Sequence, residues 1–267
     1  MGECTNKCGM TAGKMSMKKF FRQLLFAFGF LTIIPGLGKL KIKPDDTGKS
    51  VVFYPVVGLL IGLFLYLISL LPGLLPLTRS AIMVVFTLIF SRFIHADGFM
   101  DTMDGFLSGR KMPRDIIAVM RDSRTGTLGF VSGFSIYILK ICLFYEIISK
   151  WAGGFPYYLF AAPALSRGGV AISGYMFPYA GGEKGLGRSF VSSIGLFQAS
   201  VSFLLMGIIS FNRDNILSLI SAPAVSAFGI IWGLVCMKKI GGITGDTLGA
   251  GIEMSELFYL ALFIAIF

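Results

Sequence analysis

Apolar runs of membrane-crossing length set the first limit on what this chain can become. A helix needs about 20 consecutive, mostly apolar residues to cross a hydrocarbon core. Residues 51–71, 127–149, 156–177, 190–211 and 216–236 supply such runs, and two shorter ones, 81–94 and 257–267, extend into polar flanks. Only 14% of the 267 residues are charged, where a soluble domain carries roughly a quarter. The expected fold is all-α, a polytopic integral membrane bundle of about seven transmembrane helices. One membrane-embedded domain over residues 20–267 uses nearly all the length, leaving no soluble domain of useful size.

Residues 1–19 read as a flexible arm, because they lack the compact apolar core and small-residue site of a cleaved signal. Cys4 and Cys8 read as idle thiols there, while Cys142 and Cys236 sit in apolar stretches as small packing residues. Residues 20–37 are apolar too, but contain Arg22 and Gln23 and end at Pro35-Gly36. Lysines 14, 18 and 19 precede them and lysines 39, 41, 43 and 49 follow. A full crossing would strand one basic set on the wrong side, so an N-terminal interfacial or re-entrant helix is expected.

Alternating the spans from a cytoplasmic Lys39–Lys49 loop places Arg110, Lys111, Arg114, Arg121, Arg124, Lys184, Arg188, Lys238 and Lys239 inside, and only Arg79, Lys150 and Arg213 outside. That bias satisfies the positive-inside rule. It also accounts for most of the +10 net charge, which suits an anionic membrane surface or a phosphate-rich substrate. No nucleic-acid-binding motif occurs. The polar, glycine-rich segments at His95, Met120, Ala180 and Gly241 then fall on one face, and loops gathered on one face are where chemistry tends to sit. Asp246, Glu253 and Glu256 are expected on that face as well.

"HADGFMDTMDGFLSGR", from His95, concentrates acid in a greasy chain. Asp97, Asp101 and Asp104 are spaced i, i+4, i+7 and fall within about 60° on a helix. Three carboxylates on one stripe repel unless something positive lies among them. A hard divalent cation such as Mg2+ would answer this, held by carboxylates together with substrate phosphates. The alternative is a solvated acidic helix end neutralised by Arg110, Lys111 and Arg114. His95, two residues before Asp97, would point to the opposite face of a continuous helix. It becomes a proton donor or base only if the helix starts at Asp97. Arg167 sits deep in an apolar segment, where charge is expensive and marks a site by default; Arg92 snorkels. Lys140 and Glu146 pair with neighbours or snorkel. "DSRTGTLGF" and "GEKGLGRSF" join glycine turns to Arg121, Arg124, Lys184 and Arg188, a generic anion cradle with no Walker A pattern.

Taken together, these residues resemble the cobalamin synthase family, the adenosylcobinamide-GDP ribazoletransferases. "HADGFMDTMDGFLSGR" is similar to its H-x-D-G-x-x-D-x-x-D-G-x-x-S-G-R signature. "MRDSRTGTLGF" resembles its K-D-S-R-x-G-x-x-G segment, with Arg121 where Lys is usual. "ALSR", "EKGLG", "GGITGDTLGA", "FLTIIP" and "YPVVGLLIG" follow the family in order over residues 20 to 260.

The resemblance implies a magnesium-dependent enzyme of the cell membrane whose site faces the cytoplasm. It joins adenosylcobinamide-GDP to alpha-ribazole or its 5'-phosphate and releases GMP. Asp97, Asp101 and Asp104 would hold the metal. One of them or His95 would take the nucleophile's proton. Arg110, Asp122, Arg124, Arg167, Lys184 and Asp246 would border the substrate. Membrane lipids are the expected surroundings, nucleic acid is not a partner, and an oligomer is left open. Two other readings stand beside it. A CDP-alcohol-type lipid phosphotransferase also uses spaced aspartates, but lacks its "DGxxAR" run here. A divalent cation transporter would place its acids nearer the bilayer midplane, often with inverted repeats.

Overall fold

The computed structural model describes residues 17–34, 44–150, 157–182, 186–211 and 217–266, and every regular element among them is helical. The Cys4 and Cys8 arm and Lys184 lie outside the described residues. α1 (Met17–Leu31) is followed by α2 (Pro44–Thr47) and a 3-10 turn, Gly48–Phe53, that runs directly into α3 (Tyr54–Ser69). Then come α4 (Pro76–Phe90), α5 (Ile94–Leu107), α6 (Pro113–Met120), α7 (Thr127–Lys150) and α8 (Tyr157–Met176). α9 (Leu186–Ser192), α10 (Leu196–Ser210), α11 (Leu217–Ile240) and α12 (Gly245–Ile266) complete the described chain.

Among the described residues four stretches are long and apolar enough to cross a membrane: Gly48–Ser69, Thr127–Lys150, Ser218–Ile240 and Gly245–Ala265. α4 and α5 would make a fifth if that pair counts as one span, although it is bent by 90°. Of the other expected spans, 156–177 is present as α8 but is not among these stretches, and three take a different form. The run at 190–211 is two helices, because the chain turns at Ser193–Gly195 and the Gly195 N–H donates to the Gln198 side chain at 2.9 Å to open α10. The run at 257–267 is only the second half of α12, which starts twelve residues earlier at a polar cap. The run at 81–94 breaks at Ser91–Phe93, where Arg92 and Phe93 both take left-handed φ, 53° and 58°. Such a conformation costs a non-glycine residue about 1–2 kcal/mol. Contacts hold it in place: the Ile33 N–H donates to Phe90 O at 2.7 Å, and Arg92 Nη2 donates to Phe30 O at 3.0 Å. Arg92 thus ties α1 to the break.

α8 is the central helix, and every residue from Ala161 to Ala171 is buried. Its neighbours reach it through small residues, the usual device where no water drives helices together. On α3, Gly58 and Gly62 form a G-x-x-x-G stripe. A Cβ at Gly58 would lie 2.2 Å from Pro163 O, and one at Gly62 would lie 2.5 Å from Phe160 Cα. α1 packs along one face, exposing Met17, Phe20, Phe21, Leu25 and Phe30 while burying Gln23, Ala27 and Leu31. Asp46 anchors it, with Lys19 Nζ at 2.9 Å, Lys49 Nζ at 3.3 Å and Arg22 Nη2 at 3.5 Å.

Candidate active site

One end of the bundle gathers segments that are distant in sequence. The 90° break lays α5 across the first turns of α7 and α12. α12 opens with a reciprocal cap: the Thr244 N–H donates to Thr247 Oγ1 at 2.8 Å, and the Thr247 N–H donates to Thr244 Oγ1 at 3.2 Å. Asp246 therefore sits in the first turn, where the helix dipole favours an anion. α5 meets this turn at Gly98, where a Cβ would lie 2.9 Å from Asp246 Cα. A second close approach sets a Cβ at Gly249 3.3 Å from His95 Cα. The loop before α12 pairs with the loop after α8 through a parallel bridge, Tyr179 with Ile243. There the Ile243 N–H donates to Pro178 O at 2.8 Å, and the Ala180 N–H donates to Ile243 O at 2.9 Å. Arg121, after α6, donates from Nη2 to Gly181 O at 2.6 Å and closes the ring.

The aspartates lie on this ring, and their environments differ. Asp97 is exposed, Asp101 is half-buried, and Asp104 is buried. Asp101 feels the charges of Asp97, Asp246 and Asp104, while Asp246 feels Asp97 and the opposing charge of Arg121. Asp246 thus joins the α5 acids although 142 residues separate it from Asp104 in sequence numbering. Asp104 accepts two backbone N–H groups, Gly126 on Oδ2 and Gly129 on Oδ1, both at 2.7 Å. Among the described residues no three His, Cys, Asp or Glu side chains already enclose a metal position. Magnesium asks for less, since one or two carboxylates suffice when substrate phosphates and waters fill the rest. Asp97, Asp101 and Asp246, mutually repelling and reachable, fit that demand.

Several expected site residues have partners other than the acids of α5. His95 is on α5, which begins at Ile94, so two residues turn it about 200° around the helix from Asp97. It is buried, its Nδ1 has no hydrogen-bond partner, and it feels Arg167 and Lys140 rather than facing the acids. That removes the condition under which it would serve as a base. Arg167 was expected to answer the aspartates or a substrate diphosphate. Its partner is instead Glu256, with Nη1 3.4 Å from Oε2, inside a buried network. Lys140 Nζ completes that network at 3.1 Å from Glu253 and 3.0 Å from Glu256. Glu253 and Glu256 were expected at the polar face; α12 carries them two to three turns into the bundle. Asp122 and Arg124 are exposed and clasp each other, with Arg124 Nη2 2.8 Å from Oδ2 and Nε 3.1 Å from Oδ1. Hydrogen bonds from the Arg124 side chain and backbone hold the Asp122 carboxyl down to about 2. Arg110 is exposed, and no described ion pair ties it to the stripe.

Arg121 is the residue that sequence reasoning undervalued, grouping it with its loop rather than with the site. The signal was present, as a basic residue opening a glycine-rich turn. Its bond to Gly181, and its charge felt by Asp246, depend on tertiary structure.

Residues 23–264 match the family model described as Cobalamin-5-phosphate synthase. The chain is 32% identical over 253 residues to the adenosylcobinamide-GDP ribazoletransferase of Acetivibrio thermocellus, covering 92% of this chain and 98% of that one. It is 33% identical over 254 residues to the protein of the same name from Desulfitobacterium hafniense, covering 90% and 95%. A third, from Caldanaerobacter subterraneus, is 34% identical over 246 residues, covering 91% and 97%. No solved structure gave a significant match.

Proposed function

The chain belongs to the cobalamin-5-phosphate synthase family, and from that membership we propose how its own residues carry out the family's transfer. It is a membrane-embedded transferase of cobalamin biosynthesis that acts in the final assembly of the nucleotide loop, with adenosylcobinamide-GDP as donor and a ribazole-type acceptor. The lipid phosphotransferase and the cation transporter are not favoured.

The observation that carries the mechanism is the convergence of Asp97, Asp101, Asp246 and Arg121 at one end of the bundle. The acceptor is alpha-ribazole or its 5'-phosphate. Its ribose hydroxyl attacks the phosphorus next to cobinamide, the bond to the GMP oxygen breaks, and GMP leaves. Asp97, Asp101 and Asp246 would hold Mg2+ there, and the ion would supply charge neutralisation on the diphosphate oxygens. Arg121 spends one N–H on Gly181 and keeps donors for a phosphoryl oxygen. Arg124, already exposed, exchanges Asp122 for phosphate. Lys184, outside the described residues, is a further candidate for a phosphoryl oxygen by its place in the sequence. The hydroxyl's proton passes to Asp97 or Asp101, because Asp104 is engaged with backbone and His95 faces the interior. The excess of basic residues in the loops at this end supports a site that faces the cytoplasm.

GMP release by the purified protein in detergent or vesicles tests the reading. It should require both adenosylcobinamide-GDP and the ribazole, and Asp101→Asn should slow it roughly a hundred- to ten-thousand-fold. GMP release without acceptor, or an unimpaired Asp101→Asn enzyme, would count against it.

A further inference from the structure

The three aspartates of α5 look alike in sequence, yet Asp104 is placed differently. α7 begins just after Gly126, whose carbonyl accepts the first intrahelical bond from Phe130 N at 3.0 Å. Gly126 thus stands in the N-cap position and Gly129 in the third position of the helix. The early N–H groups of a helix have no partner within it, and the N-cap side chain normally supplies one. Glycine has no side chain to offer. The carboxylate arrives from another helix instead, one oxygen for the Gly126 N–H and one for the Gly129 N–H, both at 2.7 Å. The glycines also make room for it: a Cβ at Gly126 would lie 2.4 Å from Oδ1, and one at Gly129 would lie 2.4 Å from Oδ2. Gly133, one turn further, lets Met100 pack against α7. The charged form of Asp104 is therefore satisfied by two backbone donors and a helix dipole, without a cation.

We propose that Asp104 is a positioning residue: it latches α5 to the start of α7 and so fixes the Arg121–Arg124 turn beside the metal-binding pair Asp97 and Asp101. The latch rests on the functional reading above for what it positions, and on geometry alone for its existence. The stretch from Arg121 to Gly126 is six residues of turn and loop between two helices, held at one end by α6, through the Arg121 N–H on Ile117 O, and at the other by this contact. Arg121 crosses from it to Gly181. Releasing the α7 end frees the phosphate-facing arginines while leaving Asp97 and Asp101 on an intact α5.

Asp104→Asn offers one acceptor oxygen where two are needed, so one N–H loses its partner with almost no change in size. Three readouts separate a latch from a metal ligand. Amide hydrogen exchange of Asp104→Asn should rise roughly tenfold or more at residues 121–130 and stay unchanged in α12. The KM for adenosylcobinamide-GDP should rise more than kcat falls. Mn2+ binding, followed by electron paramagnetic resonance with adenosylcobinamide-GDP present, should match the parent protein in Asp104→Asn and weaken in Asp101→Asn. Gly126→Ala removes no carboxylate, but its Cβ, 2.4 Å from Oδ1, pushes Asp104 off the N–H groups; it should reproduce both the exchange and the KM effects, which guards against a poorly folding Asp104→Asn. Mn2+ binding weakened in Asp104→Asn as much as in Asp101→Asn overturns the latch, as does an unchanged KM in Gly126→Ala. If Asp97→Asn and Asp101→Asn also leave Mn2+ binding untouched, the metal reading fails, while raised exchange at residues 121–130 still upholds the latch.

Discussion

Arg167 and Glu256 are both fully buried, and with Lys140 and Glu253 they make two cations and two anions inside an apolar bundle. Removing such charges from water costs several kcal/mol each, and mutual attraction returns it only where every partner is present. Arg167 Nε and Nη2 have no hydrogen-bond partner, so the balance leans on the Glu256 contact. Glu256→Gln should therefore destabilise the protein by about 3–5 kcal/mol, read as a drop in the thermal unfolding midpoint in detergent. Arg167→Met combined with Glu256→Met removes charge in a matched pair and should recover much of that loss. A double variant no more stable than Glu256→Gln alone would show that the network contributes something other than charge pairing.

Among the elements, α1 is held by charge at one end and by backbone bonds at the α4–α5 break at the other. Burial raises the Asp46 pKa, but hydrogen bonds and charge from Lys19 and Lys49 outweigh it, and the result lies below the usual 3.8. A carboxyl depressed by folding stabilises fully above its unfolded value and loses that contribution as pH falls through the folded value. A spin label at Phe21→Cys should thus stay immobilised at neutral pH and gain mobility only below pH 3.8. In Asp46→Asn it should be mobile at pH 7. A label equally immobile in both proteins at every pH would mean that the apolar face, not Asp46, seats the helix. The break itself makes α5 a crossbeam over α7 and α12, which is how one helix can present Asp97 and Asp101 to Asp246 and also reach Gly126.

At the scale of the whole molecule, the polar segments meet at one end although the chain visits that end in four separate passages. If the positive-inside rule holds here, the bias of basic residues toward the same end predicts a cytoplasmic site. With the native cysteines replaced by serine, Ser108→Cys and Ser123→Cys should resist an impermeant thiol reagent in intact cells and react after permeabilisation. Thr78→Cys, at the opposite end of α4, should react in intact cells. The reverse pattern would invert the topology and place the site outside.

The membrane class, the all-helical fold, the shared face of the polar loops and the family were legible in the sequence. Each follows from a local or cumulative property: apolar run length, charge bias between loops, or an ordered set of motifs. The i, i+4, i+7 spacing likewise placed Asp97, Asp101 and Asp104 on one stripe of a helix. It could not distribute their roles, because a stripe does not say what packs against it. Gly126 and Gly129 reach Asp104 across 22 and 25 residues, and Asp246 reaches Gly98 across a far longer gap. Arg167 was visible as an expensive charge, yet its anion was assigned to the wrong set of acids. The apolar run at 257–267 marks only the end of α12, and the Thr244–Thr247 cap, which starts the helix at Gly245, draws Glu253 and Glu256 inward. Likewise the apolar run at 190–211 folds as two helices and the run at 81–94 bends by 90°, because apolarity records burial but not direction. Hydrophobic pattern fixes which residues leave water; only the packed backbone decides which buried or half-buried charges meet.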